Sequence, residues 1–356
     1  LSRVVNGDGY SDVLVSAPNF DNGQVNEGRA YLYLGSPSGL AATPAWAAES
    51  DQADANFGLS IATAGDVNGD GYPDVIVGAP YYDNVETDEG RAYVYLGSPA
   101  GLAASPVWTA DAHPGEFPEP SAYFGSSVAS AGDVNADGFS DVIVGADGSE
   151  SGPGAAGGRA YLYLGSASGL ATDFAWMADP FQHYAQFGAS VASAGDVNGD
   201  GYSDVLVGAP SFDLATLDDG QAYLYLGSAT GLASAPAWSS GYYAFSVGSN
   251  VGASVATAGD FDGDGYADFI VGGPGYDLHT LDGGGAFFYT GSGPGRLVDR
   301  IPRQARSTTS ALVALLGKSD SETAFNLEER GRIAAGRGKV RLQWEVKPLG
   351  TPFNGA

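Results

Sequence analysis

Short apolar runs of four to eight residues alternate with Gly-, Pro- and Asp-rich turns throughout residues 1–295. In one representative stretch these runs predict strands near 57–64, 74–79, 91–96 and 106–110. The second of them contains the wholly apolar segment Val75–Val77, which is typical of a buried strand. No stretch of twelve residues within 1–295 keeps a helical period. The pattern therefore predicts an all-β chain.

The same four runs recur through the chain as a repeat. Aspartates of recurring Asp-Gly pairs stand at Asp8, Asp70, Asp137, Asp200 and Asp264, so the spacings are 62, 67, 63 and 64 residues. Four strands per repeat predict a β-propeller of four-stranded antiparallel blades. Five repeats are visible, of which the first lacks its innermost strand and the fifth lacks a recognisable Trp strand.

An acidic loop follows the first strand of each repeat. Four loops are complete, and each has oxygen-bearing side chains at positions 1, 3, 5 and 9 and glycine at position 6, as in Asp66 to Asp74. Calcium prefers six to eight hard oxygen ligands, and alternate side chains of a tight loop can supply several of them. We expect position 7 to contribute its backbone carbonyl. The sequence therefore predicts four Ca²⁺ sites, with a fifth, truncated site that is weak or empty.

The predicted ligands of these five loops share this spacing. They are Asn6, Asp8, Tyr10 and Asp12; Asp66, Asn68, Asp70, Tyr72 and Asp74; Asp133, Asn135, Asp137, Phe139 and Asp141; Asp196, Asn198, Asp200, Tyr202 and Asp204; and Asp260, Asp262, Asp264, Tyr266 and Asp268. An EF-hand is excluded because its position 12 carries a glutamate on a helix. Here that position holds Val77, Val144, Val207 or Val271, inside a predicted strand.

Charge divides the chain near Gly295. The formal net charge of −27 combines −32 in residues 1–295 with +5 in residues 296–356. We therefore expect a propeller over 1–295 and a small basic β-rich tail over 296–356, either part of a β-sandwich or a stalk-proximal module. Within the tail, the segments 310–316, 323–330 and 339–347 are predicted as strands. The tail could dock on its own propeller or support self-assembly with a neighbouring molecule. The acidic body argues against nucleic-acid partners.

The sequence also limits the chemistry and the location. There is no Cys, so bound metal rather than disulfides is expected to stabilise the fold. No membrane-spanning segment and no secretory signal is present, and we expect a processed or partial chain. The three histidines lie in variable loops, and no Gly-x-Ser-x-Gly or zinc spacing appears. The expected protein is a binding protein and not an enzyme.

Recurring aromatic and basic residues complete the picture. Trp46, Trp108, Trp176 and Trp238 are expected in the core between blades, and Arg29, Arg91 and Arg159 in ion pairs between blades. The longer connections are hypothesised to form an aromatic rim that contacts a glycan or protein; the alternative is that these rings tuck between blades. The rim residues are His113, Phe117, Tyr123, Phe181, His183, Tyr184, Tyr242, Tyr243 and Phe245.

Three ordered elements of each repeat resemble those of a known family. Phe-Gly pairs, the Asp-rich loop and Gly-Ala-Pro at 78–80 and 208–210 are those of the FG-GAP repeat, as in integrin α-subunit propellers and bacterial surface proteins. The resemblance implies calcium in loops between the first and second strands of a blade. It also implies that a partner binds the opposite face, through the second-to-third and fourth-to-first strand loops.

The function expected from these features is that of an extracellular or cell-surface calcium-binding propeller. It would serve adhesion or ligand recognition, with a protein or glycan partner on the face opposite the calcium loops. Two alternatives stay open: a structural subunit of a surface assembly, and an accessory domain of a carbohydrate- or lipid-active enzyme.

Overall fold

The computed structural model describes residues 5–112, 120–149, 157–180, 182–240, 247–276 and 283–292, with two short strands beyond them. Every regular element in these segments is a β-strand, as the sequence predicts. Two compact units are distinguished, residues 1–259 with 266–292, and residues 260–265 with 293–356. Among the described residues, no helix has the length and apolarity needed to cross a bilayer.

The first unit contains five antiparallel sheets that follow the repeats, and each is called a blade. Within a blade every strand pairs with the next one along the chain. Blade 1 holds β1 (Val13–Ala17), β2 (Arg29–Tyr33) and β3 (Trp46–Glu49); blade 2 holds β4 (Ser60–Gly65), β5 (Asp74–Ala79), β6 (Arg91–Tyr95) and β7 (Trp108–Asp111); blade 3 holds β8 (Phe124–Gly132), β9 (Asp141–Ala146), β10 (Arg159–Tyr163) and β11 (Trp176–Ala178); blade 4 holds β12 (Ser190–Gly195), β13 (Asp204–Ala209), β14 (Gln221–Tyr225) and β15 (Trp238–Ser239); blade 5 holds β16 (Ser254–Gly259), β17 (Asp268–Gly273) and β18 (Gly285–Tyr289).

Successive blades pack through their first strands, so that β4, β8, β12 and β16 lie side by side. The aromatic ring at or just before the start of the first strand is fully buried at this junction in Phe57, Phe124 and Phe187. Isolated parallel bridges join Gly90 to Phe124, Gly158 to Phe187 and Gly220 to Val251, each linking one blade to the next. The propeller-blade architecture predicted from the repeat is confirmed.

A glycine pair explains why the Phe-Gly and Gly-Ala-Pro elements occur together. A Cβ atom added to Gly145 of β9 would overlap the carbonyl oxygen of Gly188, which precedes the first strand of the next blade. The same overlap would arise between Gly78 and Gly125, and between Gly208 and Gly252. Only glycine lets the two backbones approach this closely.

Tryptophans of the fourth strand pack against the following blade. The Trp108 ring lies 4.9 Å from that of Tyr163, and its Nε1 donates to the Ala171 carbonyl at 2.8 Å. Trp46 and Trp176 make the equivalent bonds, to Ala103 and Ala233. The predicted position of these rings in the core between blades is confirmed.

The prediction of ion pairs between blades is wrong for the two arginines whose pairs are described. Arg91 Nη2 lies 3.0 Å from Asp111 Oδ2, and Arg29 Nη1 lies 3.5 Å from Glu49 Oε2. Both pairs lie within a blade, because the antiparallel register places each arginine directly opposite its carboxylate on the neighbouring strand.

The second unit contains two described strands, β19 (Arg303–Ala305) and β20 (Asn326–Glu328), which pair antiparallel. Strand β20 falls inside the strand-like segment predicted over 323–330. The segments predicted over 310–316 and 339–347 lie outside the described residues. The boundary expected near Gly295 stays a prediction.

Candidate functional site

The acidic loops lie at one end of the blades, where the first strand turns into the second. In blade 2 the register shifts between Thr63 and Gly65, and Gly65 lies opposite Asp74 across the loop. The same shift occurs before the loops of blades 3, 4 and 5. This bulge ends the ladder and lets the loop close on itself.

Side-chain oxygens turn into the interior of each complete loop. In blade 2 the backbone N–H of Asp70 donates at 3.1 Å to both Asp66 Oδ1 and Asn68 Oδ1. The second Asp66 oxygen accepts from Gly71 N at 2.8 Å. Oxygens from positions 1 and 3 therefore converge on one backbone atom of the loop.

This convergence repeats in blades 3 and 4. Asp137 N donates to Asp133 Oδ1 and Asn135 Oδ1, both at 3.0 Å. Asp200 N donates to Asp196 Oδ1 and Asn198 Oδ1, again both at 3.0 Å. The side-chain donors of each loop, carboxylate and amide oxygens, fit a hard divalent cation.

The aspartate at position 9 has a structural role that its spacing did not reveal. Asp74 is fully buried, and its two oxygens accept from Val67 N and Gly97 N, both at 2.8 Å. The equivalent aspartates, Asp141, Asp204 and Asp268, are also fully buried. Asp141 and Asp204 each fasten their loop to the connection that follows the third strand, by accepting from Val134 N and Gly165 N or from Val197 N and Gly227 N. Asp268 accepts from Gly291 N at 2.9 Å.

Burial raises the pKa values of the position-9 aspartates of blades 2 to 4. It raises the pKa of Asp74 from 3.8 to about 6, and the neighbouring Asp70 and Asp66 carboxylates add to the rise while the two backbone N–H bonds oppose it. For the same reasons, the pKa of Asp141 and that of Asp204 are raised to about 7. The ends of these loops therefore concentrate negative charge that a cation would stabilise.

The metal-free protein is expected to become more stable as the pH falls from about 7 to about 4. The folded pKa values of Asp74, Asp141 and Asp204 lie above 3.8, so the folded state takes up protons before the unfolded chain does. Melting temperatures of EDTA-dialysed protein across this range would measure the trend. In Asp141→Asn the trend should be shallower, and a melting temperature that falls steadily on acidification would contradict the prediction.

Neighbouring loops are tied together by backbone hydrogen bonds. Ser140 N donates to the Asp66 carbonyl, Ser203 N to that of Asp133 and Ala267 N to that of Asp196, all at 2.9 Å. The side chains at position 7 also contact the preceding loop, since the ring of Tyr72 lies against Gly7 and that of Phe139 against Gly69. The loops are thus parts of one connected belt rather than independent surface turns.

The first and last loops keep parts of this arrangement. Asp12 accepts from Val5 N and Gly35 N at 2.8 and 2.9 Å, and Asp8 N and Tyr10 N make the local turns with Asn6 and Asp8. In residues 260–265, Asp264 N donates to Asp262 Oδ1 and Gly265 N to Asp260 Oδ2, both at 3.0 Å.

The opposite end of the blades carries a cleft of about 590 Å³. It is lined by Pro120, Ser121, Tyr123, Asp147, Gly148, Tyr184, Gln186, Ser211 and Asp218. These residues come from second-to-third and fourth-to-first strand connections of blades 2 to 4. Tyr184 is 74% exposed. Of the predicted rim, Tyr123 and Tyr184 therefore line the cleft, and His183 is exposed next to Tyr184.

The other rim candidates, His113, Phe117, Phe181, Tyr242, Tyr243 and Phe245, lie outside the described residues. The cleft itself was not evident from the repeat pattern. It brings together side chains from three blades, which only the packing of the blades makes neighbours.

Comparison with known families matches the FG-GAP repeat to residues 5–33, 57–95, 124–163, 187–225 and 251–289, together more than half of the chain. The chain belongs to the FG-GAP repeat family. One matched segment falls in each of the five blades, and each ends at the last residue of a strand, namely that of β2, β6, β10, β14 or β18.

Integrin α subunits are similar to this FG-GAP chain. Mouse integrin alpha-IIb is 39% identical over 151 residues, which cover 40% of the chain and 14% of the relative. Integrin alpha-4 of Xenopus laevis is 31% identical over 220 residues, covering 59% and 19%. Human integrin alpha-7 is 34% identical over 196 residues, covering 52% and 15%. The chain spans less than a fifth of the length of these relatives.

Among solved structures, the periplasmic gluconolactonase PpgL of Pseudomonas aeruginosa is similar over 83% of this chain and 73% of its own. The sequence identity is 13% and the TM-score 0.37. This distant likeness carries no inference about activity.

Proposed function

We propose that this FG-GAP chain is a calcium-binding propeller that recognises a protein or glycan partner outside the cytoplasm. The observation that carries the proposal is that the two ends of the blades have different structures. One end holds a belt of repeated acidic loops, and the other holds a cleft built from connections that differ between blades.

Calcium would be held at one end by the side chains at positions 1, 3, 5 and 9 and the position-7 carbonyl, as in Asp66 to Asp74. When bound, the ion supplies positive charge that offsets the converging carboxylates. The chain's own residues preorganise the loop, because Asp74 fixes both its start and the neighbouring connection. Extracellular calcium-binding modules have dissociation constants of about 10⁻⁴–10⁻³ M. Because cytoplasmic calcium is too low to fill sites of this affinity, the proposal includes an extracytoplasmic location.

The partner is proposed to bind in the cleft at the other end. Tyr184 offers an exposed ring on which a sugar or an aliphatic side chain can stack. Beside it, the Ser211 hydroxyl donates a hydrogen bond to Gln186 Oε1 at 2.8 Å. Both side chains could exchange this bond for hydrogen bonds to a ligand. A few polar groups around an aromatic surface are typical of a recognition site.

A non-catalytic role is proposed for this site. Among the described cleft residues there is no cysteine and no histidine, and the acidic residues Asp147 and Asp218 are the titratable carboxyls. Service as a structural subunit, or as an accessory domain of a carbohydrate- or lipid-active enzyme, is compatible with the same surface.

Substitution of Tyr184 by alanine is expected to weaken partner binding at least tenfold. The variant removes an exposed ring and leaves the blade core intact. Binding would be measured in calcium on an array of glycans and on purified extracellular matrix proteins. The matched control is Leu40→Ala, because Leu40 is also exposed but lies in the connection between β2 and β3, at the acidic-loop end.

Binding that is equally strong in both variants would place the recognition surface elsewhere. Turnover of a bound glycan, detected as released product, would favour the enzyme alternative over the binding module.

A further inference from the structure

Glu27 is a buried carboxylate without a hydrogen-bond partner in the described structure. It lies just before β2 in the first blade and has no exposed surface. Neither Oε1 nor Oε2 has a hydrogen-bond partner. An ionised group in this condition is costly unless an opposite charge or a metal stabilises it.

The equivalent carboxylates of other blades are hydrogen-bonded by their own loop. Glu89 of blade 2 accepts from Val85 N at 3.2 Å and Glu86 N at 3.3 Å. Asp219 of blade 4 accepts from Ala215 N at 2.7 Å and Thr216 N at 2.6 Å. The connection of blade 1 has the same length as that of blade 2, yet Glu27 does not use it in this way.

Glu27 instead faces two further carboxylates. One carboxylate oxygen each from Glu27, Glu49 and Asp51 lie within 4.8 Å of one another. Oxygens that bind one calcium ion at 2.3–2.6 Å are separated by at most about 5 Å, so this spacing suits a shared ion. Glu49 ends β3 and is half-buried, and Asp51 follows it at the surface.

This cluster lies at the end of the blade opposite the acidic loops. Strand pairing places Ala17 beside Arg29 and Arg29 beside Glu49, so the connections after β1 and β3 emerge together at that end. The acidic loop of blade 2 instead follows β4, at the other end of the antiparallel sheet. The cluster is therefore separate from the five repeat loops.

Among the residues that the structure describes, the positive charge recorded next to the cluster does not balance it. Arg29 lies 3.5 Å from Glu49 Oε2, and Asn22 Nδ2 donates to both Glu49 oxygens at 3.0 Å. Three carboxylates against one guanidinium leave a net charge of about −2, which one divalent cation would neutralise.

The combination of acids in the first blade does not recur in the next three repeats. The residues that align with Asp51 in the next three repeats are His113, Phe181 and Tyr243, none of which is acidic. The repeat spacing therefore does not account for this third carboxylate.

We propose that Glu27, Glu49 and Asp51 form an additional site for a hard divalent cation, of the calcium class, at the end of the first blade where recognition connections emerge. The site uses no residue of the repeat loops, so it does not depend on calcium binding there.

The test counts bound calcium by equilibrium dialysis at a free concentration that saturates the wild-type protein. Asp51→Asn and Glu27→Gln should each bind one equivalent fewer than wild type. Asparagine accepts the positive φ of 57° at position 51 and this side chain is exposed, so Asp51→Asn is expected to fold. The matched control Glu89→Gln should keep the full number of equivalents, because backbone N–H groups satisfy Glu89.

A second readout follows from charge repulsion. Without metal, Asp51→Asn should melt at a higher temperature than wild type, and calcium should raise its melting temperature by less. Equal calcium stoichiometry in wild type and both variants would overturn the proposal. If the repeat loops bound no calcium, wild type should still bind the one equivalent that Asp51→Asn loses.

Discussion

Withdrawing calcium is expected to lower the melting temperature of the protein by roughly 10–20 °C. If each complete repeat loop binds one calcium ion, as proposed, it would add about 1.4 kcal/mol by linkage when calcium is in tenfold excess over its dissociation constant. Four loops together would supply roughly 5–6 kcal/mol, which is comparable with the stability of a whole domain. Differential scanning calorimetry in calcium and in EDTA measures the difference.

The loss should extend across blades because the loops are connected. Ser140, Ser203 and Ala267 each hydrogen-bond to the preceding loop, so a loop that loosens weakens its neighbour. Sodium chloride at matched ionic strength is the control, since salt alone screens a net charge of −27. Asp137→Asn in a complete loop should reduce the calcium effect far more than Asp8→Asn in the truncated loop. Identical melting curves with and without EDTA would refute the calcium prediction.

Replacing Gly145 with alanine is expected to destabilise the protein by about 3 kcal/mol, or roughly 6–12 °C in melting temperature. The added Cβ would overlap the Gly188 carbonyl oxygen, and this obstacle is the backbone of the next blade rather than a flexible side chain. The blade must therefore shift outwards or the strand must bend. Chemical denaturation in calcium measures the loss.

Gly272→Ala is the matched control, because Gly272 occupies the same place in blade 5. There the added atom would meet mainly the Ser254 side chain, which can rotate, so the expected loss is much smaller. Blade 1 carries Ser16 at this place, next to Gly58, so the residue at this place is not glycine in every blade. Equal losses from Gly145→Ala and Gly272→Ala would contradict a role for the contact between blades.

The fold was predictable because its information is repeated. One blade alone offers a short apolar run such as Val75–Val77 that fits several folds. Five copies with an aromatic-Gly start, an acidic loop and a Trp strand leave few architectures other than radial blades. The same argument located Trp108 and its equivalents between blades, because positions that recur at one phase must satisfy the same junction.

The partners of individual charges were less predictable. Because Arg91 occupies a position that recurs in other repeats, the sequence indicates that its environment also recurs. Only the strand register shows that Asp111 lies opposite it in the same blade. Likewise, the spacing marks Asp74 as an oxygen donor at position 9. Its burial and its bonds to Val67 and Gly97 depend on how the loop folds back onto its own blade.

The acidic cluster of blade 1 was missed for a related reason. Repeat analysis searches for what recurs, whereas the cluster combines Glu27 with an acid, Asp51, that has no counterpart in the next three repeats. A search for positions where one repeat departs from the others in charge would have found Asp51.

The tryptophans give the array a direction. The indoles of Trp46, Trp108 and Trp176 each reach forward to a carbonyl of the following blade. A blade of this kind therefore offers an indole donor to the blade that follows and a carbonyl acceptor to the blade that precedes it. Duplication or deletion of a whole repeat leaves every indole donor next to a carbonyl acceptor. Insertion of part of a repeat would leave one donor or one acceptor without its partner. The length of such a protein can therefore change during evolution in steps of one module.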